Sequence, residues 1–312
     1  MRRLAIPLLF ACTAMQAQQT SQYTQYVLNM FAINPAVAGS KDCIDVRMGY
    51  RQQWVGFQGA PTTGWATINS VLKPKRPKGL HNNRHGIGAF VESDNTGPLG
   101  YTSFQLAYAY HIQMKQDVFL ALGFFGGVKQ EKFSLGDVYA MDNNDPALVN
   151  SKSVMVYPDI TPGIWLYGKS TWAGLSIQQM LGNRVDDIGL ETRLTRHYIA
   201  SVGHRYRMSK HFSVVPSGLF KLSPGSPLAM DLNVMLEYRR KLGLGISYRN
   251  QDAVALMIKV PFLKYFTLGY SYDITTSKLR VGGANTHELI LGIYPCTPLD
   301  PDKAIVRCPI FE

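Results

Sequence analysis

The strongest constraint on this chain is alternation. From Leu228 to Tyr238 every even position is apolar (Leu228, Met230, Leu232, Val234, Leu236, Tyr238), whereas the odd positions include Asp231, Asn233 and Glu237. Successive side chains of a strand point to opposite faces, so a period of two places one set on each side of a sheet. The pattern returns in Thr102 to Ile112, where Phe104, Leu106, Tyr108 and Tyr110 alternate with Ser103, Gln105, Ala107 and Ala109, and again in Leu242 to Arg249. Each segment runs for about ten residues, the length that crosses a bilayer as a tilted strand. One face suits lipid and the other water.

A soluble β-sandwich also alternates, and the connections separate the two. Strands are expected near 43–54, 62–72, 85–93, 101–112, 117–128, 156–168, 171–179, 195–207, 211–221, 227–239, 241–250, 252–260, 264–273 and 286–295. That makes about fourteen, an even number, as membrane barrels require. Tight connections at 113–116, 169–170, 208–210, 240 and 261–263 alternate with the long segments 129–155, 180–194 and 274–285 and with shorter ones at 55–61, 94–100 and 222–226. The basic tract at 73–84 is the one long connection on the tight side. After the N-terminal segment no uninterrupted apolar stretch of about 18 residues is available for a transmembrane helix, so a closed barrel is the way such a chain spans a membrane. No repeat with a fixed period of 20 to 50 residues points to a propeller or solenoid.

Arg2 and Arg3, the apolar run from Leu4 to Ala14 and the small and polar residues that follow have the layout of a secretory signal, with cleavage expected after Ala17. A lipoprotein box at Leu9 to Cys12 is the alternative. The expected division is a signal peptide at 1–17, an N-terminal periplasmic or plug segment at 18–42, an outer-membrane barrel at 43–295 and a periplasmic tail at 296–312, with both termini periplasmic. Fourteen strands enclose a lumen too wide for wall side chains alone to fill. The segment 18–42, which turns at Asn34-Pro35, is therefore expected to enter the barrel from below or to lie across its periplasmic mouth, with a simple periplasmic extension as the alternative. The formal charge of +11 invites a nucleic-acid reading that an exported address excludes. The tract Lys73-Pro74-Lys75-Arg76-Pro77-Lys78 reads as a solvated loop, or as a contact with an acidic partner or lipid phosphate.

Ser21-Gln22-Tyr23, Asn29, Ile33-Asn34-Pro35-Ala36 and Ala38-Gly39-Ser40, followed by Tyr50-Arg51-Gln52-Gln53-Trp54, resemble the opening of the PorP/SprF family of type IX secretion and gliding proteins. The resemblance continues through Ala107 to His111, Arg196-His197-Tyr198, Asp231-Leu232-Asn233, Leu268 to Asp273 and His287-Glu288. It implies a noncatalytic outer-membrane barrel, without a cofactor, that holds or receives a secreted or surface protein through that protein's type IX C-terminal domain. Other secretion components in the periplasm and the outer-membrane lipid are the further partners implied. A passive porin or small-solute transporter is the rival from another class, and a hydrolase on the barrel rim is a third.

Residue chemistry narrows the sites. A guanidinium and an amide are costly in lipid, so Arg51 and Gln53 are expected to face the lumen and Trp54 the outer interface. Together with Asn34 and Pro35 they form the candidate set for holding a plug or meeting a partner. The mature chain keeps Cys43, Cys296 and Cys308 in an oxidising compartment. Cys296 with Cys308 is the favoured bridge and Cys43 with Cys296, across the closing seam, the alternative. Asp142 to Asp145 lack the spacing of a calcium loop, no Cys/His cluster has metal-ligand spacing, and no Gly-x-Ser-x-Gly elbow is present, so neither a metal site nor a catalytic one is expected.

Overall fold

The computed structural model describes residues 20–41, 43–72, 83–115, 117–134, 152–184, 193–239, 241–263, 265–277 and 285–294. The strands are β1 (Asp45–Val55), β2 (Thr62–Leu72), β3 (Arg84–Thr96), β4 (Leu99–Lys115), β5 (Val118–Ser134), β6 (Lys152–Tyr167), β7 (Thr171–Gln178), β8 (His197–His204), β9 (Tyr206–Arg207), β10 (Phe212–Leu222), β11 (Ala229–Tyr238), β12 (Leu242–Arg249), β13 (Ala253–Phe262), β14 (Phe266–Thr275) and β15 (Asn285–Ile293). Both β8 and β9 pair with β10, so they form one stave interrupted at Arg205, and the wall has fourteen staves. Each neighbour is antiparallel, and β15 returns to β1 with Val46 opposite Ile293 and Arg51 opposite Glu288. The sheet is closed, which removes the exposed edges an open sheet carries.

Burial is the reverse of that in a soluble protein. On β11 the apolar Val234 is 51 % exposed on the outside, whereas Asp231, Asn233 and Glu237 are buried inside. Leu244 and Ile246 on β12 and Leu256 on β13 repeat the arrangement. An outer surface of this composition is stable against hydrocarbon rather than water.

The wall is taller on one side than the alternation predicts. The β5/β6 ladder runs from Phe119 opposite Tyr167 to Ser134 opposite Lys152, past the expected break at 129–155. Beyond Val128 the outward positions become Gln130 and Lys132, so the lipid-facing pattern stops while the backbone pairing continues. The ladder there is supported by inward pairs such as Tyr157 to Glu131 (2.5 Å).

Residues 20–41 form a thread inside the barrel. It has two short 3-10 turns (Tyr26–Leu28, Pro35–Val37) around one helical turn, α1 (Met30–Ile33). Every residue from Tyr23 to Ser40 is buried. Tyr26, Met30, Phe31, Ile33 and Val37 pack with the inward Trp65, Phe90, Phe125, Trp165 and Trp172 into one core. Covering five such side chains contributes on the order of 10 kcal/mol relative to a water-filled lumen. The wall makes room for the thread with glycine. A Cβ on Gly86 would lie 1.8 Å from the Ala38 carbonyl oxygen, and one on Gly163 would lie 2.2 Å from Asn34 Oδ1.

Candidate functional site

The thread crosses the lumen from mouth to mouth. Ser21 bonds with Asp94 and Tyr101, which stand at the mouth bearing the long connections. At the other mouth Lys41 pairs with Asp45 at 2.9 Å, beside the start of β1. The Lys41 end lies where β1 begins. The Thr20 end stands at the opposite mouth, because the residues between follow an unbroken path of wall contacts.

Midway, the thread is held by charge. Arg51 donates from Nη1 to Glu288 (2.9 Å) and to Thr24 Oγ1 (2.7 Å), and from Nη2 to Asp273 (3.0 Å). The backbone N–H groups of Thr24 and Gln25 donate to the Glu288 carboxylate at 2.8 and 3.0 Å, and Thr24 Oγ1 donates to Asp273 at 2.6 Å. Arg249 adds a bond to Thr24 Oγ1 (3.1 Å) while pairing with Asp231 (2.7 Å). Strand parity turns these long side chains inward, and the β1/β15 seam sets Arg51 and Glu288 side by side. All of the charges are buried, where one cation left without its partner is far costlier than in water.

Nearer the short-turn mouth the thread is held through Asn34 and its own backbone carbonyls. Asn34 Nδ2 donates to the Ile164 and Leu175 carbonyls at 2.9 and 3.1 Å, its Oδ1 accepts from the Ala36 N–H, and Pro35 opens the turn that follows. Ser176 donates to the Ile33 carbonyl at 2.8 Å. His111 Nε2 donates to the Ala38 carbonyl at 2.7 Å, His111 Nδ1 lies 2.9 Å from the Tyr167 hydroxyl, and Arg84 donates to that hydroxyl at 3.1 Å. Arg47 also reaches the Leu28 carbonyl.

The five candidate residues therefore divide. Asn34, Pro35 and Arg51 lie at the thread. Gln53 and Trp54 lie at the long-connection mouth, where they line a cavity of about 500 Å3 together with Ser21, Tyr101, Lys129 and His197. Trp54 has a φ of +46° and takes a bond from its N–H to Thr286 Oγ1 (3.1 Å), so the strand bends at the rim. Lys129 sits 4.0 Å from the centre of the Tyr101 ring and 3.3 Å from Glu131. Sequence reasoning missed Thr24, Asp231, Arg249, Asp273 and Glu288 as members of the site. Their signal is present, since each wall member is a charge at an inward position of an alternating strand. Cys43 is disulfide-bonded, and its partner lies outside the described residues, as do Cys296, Cys308, the basic tract at 73–78, Asp142 to Asp145 and the proposed signal peptide. Among the described residues no group of three or more His, Cys, Asp or Glu side chains is placed to hold a metal.

A family model described as type IX secretion system membrane protein PorP/SprF matches residues 15–293. The chain belongs to the PorP/SprF family. The family is one of secretion-machinery membrane proteins and not a known enzyme family. No curated protein matches the chain. Among solved structures, the Ralstonia pickettii toluene transporter TbuX is similar with 11 % identity over 86 % of this chain and 92 % of its own, at a TM-score of 0.51. The Pseudomonas putida toluene transporter TodX (12 %, 90 % and 96 %, TM-score 0.46) and a Pseudomonas aeruginosa FadL homologue (11 %, 88 % and 94 %, TM-score 0.44) are also similar. Identity this low shows the fold alone, an outer-membrane barrel. As a PorP/SprF member with this wall, the protein is a multi-pass outer-membrane β-barrel of type IX secretion.

Proposed function

We propose that this barrel is a noncatalytic holder or receiver of an exported protein, which it engages at the mouth bearing the long connections. The observation that carries the reading is the thread. Its own residues 20–41 occupy the lumen and are bonded to the wall at charged and neutral positions along its length, so the barrel offers a closed surface rather than a clear passage. Among the described residues the mouth cavity, lined by Trp54, Tyr101, Gln53, Lys129 and His197, is a concave surface open to a partner. Apolar and aromatic surface with a few convergent polar groups is the usual composition of a binding site.

The orientation belongs to the same reading. Bacterial barrels keep short turns in the periplasm and long loops outside. This puts the start of β1 and the end of β15 at the periplasmic mouth and the cavity, with Thr20, at the outer one. The exported partner is expected to dock through a C-terminal domain, and the periplasmic mouth to face other components of the machinery.

Purification from the native outer membrane in mild detergent, with a photo-crosslinking residue in place of Trp54, tests the reading. Recovery of a large exported protein joined through its C-terminal domain is the expected result. A barrel that emerges alone and forms no crosslink would contradict it.

A further inference from the structure

The turn between β9 and β10 and the turn between β11 and β12 are adjacent, because Phe212 stands opposite Tyr238 and the Arg239 N–H donates to the His211 carbonyl at 2.6 Å. Together they present Lys210, His211, Arg239 and Lys241, all exposed, whereas Arg207 pairs with the inward Ser213 and projects on the lumen side. Among the described residues none of Lys210, Arg239 and Lys241 makes an ion pair. The nearby carboxylate, Glu237, is buried and already engaged by Lys259 (2.6 Å) and Arg205 (3.0 Å). Among the described residues, then, no carboxylate neutralises the charge of this cluster.

The floor of the cluster is aromatic and apolar. Tyr206, Met208, Phe212 and Tyr238 all point outward and are exposed, Met208 at 71 %. The Tyr238 ring lies 5.1 Å from that of Phe212, and the Arg239 guanidinium lies 5.3 Å from the Tyr238 ring centre. On β11 the sequence of outward side chains is Val234, Leu236, Tyr238 and then the Arg239 turn, so the cations begin where the hydrocarbon-facing surface ends.

Turn chemistry supports the same assignment. Lys241 N–H donates to the Tyr238 carbonyl at 3.0 Å within the short connection between the paired Tyr238 and Leu242, and Arg239 in it has a φ of +51°. Such connections favour Asn and Gly because those residues reach positive φ cheaply. An arginine there keeps a cation at the cost of turn preference.

We propose that these two turns form a binding site for the anionic phosphate headgroup of a membrane lipid in the leaflet at the short-turn mouth. The phosphate meets Lys210, Arg239 and Lys241, and the upper part of the acyl chains lies against Phe212 and Tyr238. Cations next to exposed aromatic surface suit an anion with an apolar tail better than a soluble anion, which gains nothing from the rings. An acidic protein face would meet the same charges but would leave the apolar skirt to the bilayer.

The test uses the full-length barrel in lipid nanodiscs and detergent, with retained lipid measured by native mass spectrometry. The probes are phosphatidylglycerol, phosphatidylcholine and glycerophosphoglycerol, the last being the headgroup without acyl chains. The wild-type barrel is expected to retain phosphatidylglycerol in preference to phosphatidylcholine. The double variant Arg239→Gln/Lys241→Gln, and separately Lys210→Gln, should each weaken that preference by roughly fivefold for each cation removed. Lys132→Gln/Arg193→Gln, which removes the same charge at the opposite mouth, should leave it unchanged. Heat-modified gel migration confirms that each variant is folded. The proposal is overturned by equal retention of the two lipids, by an equal effect of the opposite-mouth variant, by equal binding of the acyl-free headgroup, or by capture of an acidic protein with no lipid preference.

Discussion

Arg51 is one side chain that ties three separate parts of the chain together. Its guanidinium meets Thr24 on the thread, Asp273 on β14 and Glu288 on β15. Arg51→Met leaves two buried carboxylates short of their cation, and a loss of about 3–5 kcal/mol is expected, read as a lower thermal midpoint in detergent. Adding Asp273→Asn and Glu288→Gln to that variant removes the stranded charge and should recover much of the loss; a triple variant no better than the single one would contradict the account. Gly86→Leu places a side chain where the Ala38 carbonyl stands, and should expose the thread to added protease without abolishing barrel formation. Unchanged protection would show that the thread does not pack there. Arg51 was legible in the sequence because a guanidinium in an alternating strand cannot face lipid. Its partners were not, since Asp273 and Glu288 lie 222 and 237 residues away and only closure of the barrel brings them near.

The strands were legible wherever an apolar outer face and a polar inner one coexist, as on β11 and β12. The outer extension of β5 and β6 was not, because Gln130 and Lys132 end the apolar series while backbone pairing continues to Ser134. The thread has no periodicity that reports its path. Asn34-Pro35 marks a turn, but the route from one mouth to the other depends on the lumen contacts of Ser21, Thr24, Asn34 and Lys41 together. Asn34→Leu removes the donor shared by the Ile164 and Leu175 carbonyls, and a cost of roughly 1–3 kcal/mol is expected from stability measurements. The seam makes a further prediction. The β1/β15 register sets Val46 opposite Ile293, and Cys43, just before β1, is disulfide-bonded. Peptide mapping without reduction is expected to recover Cys43 joined to Cys296; recovery of Cys296 joined to Cys308 would rule that pairing out.

At the scale of the whole molecule, a lipid-facing wall of fourteen staves surrounds a lumen filled by the chain's own N-terminal thread, and the family membership places this object in type IX secretion. The wall and the family could be read from alternation and motif. The closed interior required the structure, because the plug is irregular and its anchors come from β1, β2, β3, β4, β6, β7, β10, β11, β12, β14 and β15. An open porin keeps an aqueous channel, whereas here Tyr26 and Met30 on the thread and Trp165 on the wall have no solvent exposure at all. Single-channel conductance in a planar bilayer compares these two designs directly, using the wild-type barrel and a variant lacking residues 20–41. The account predicts little current from the wild type and a large, steady current from the variant. A large, steady current from the wild type, matched by the variant, would show an open porin and contradict the account.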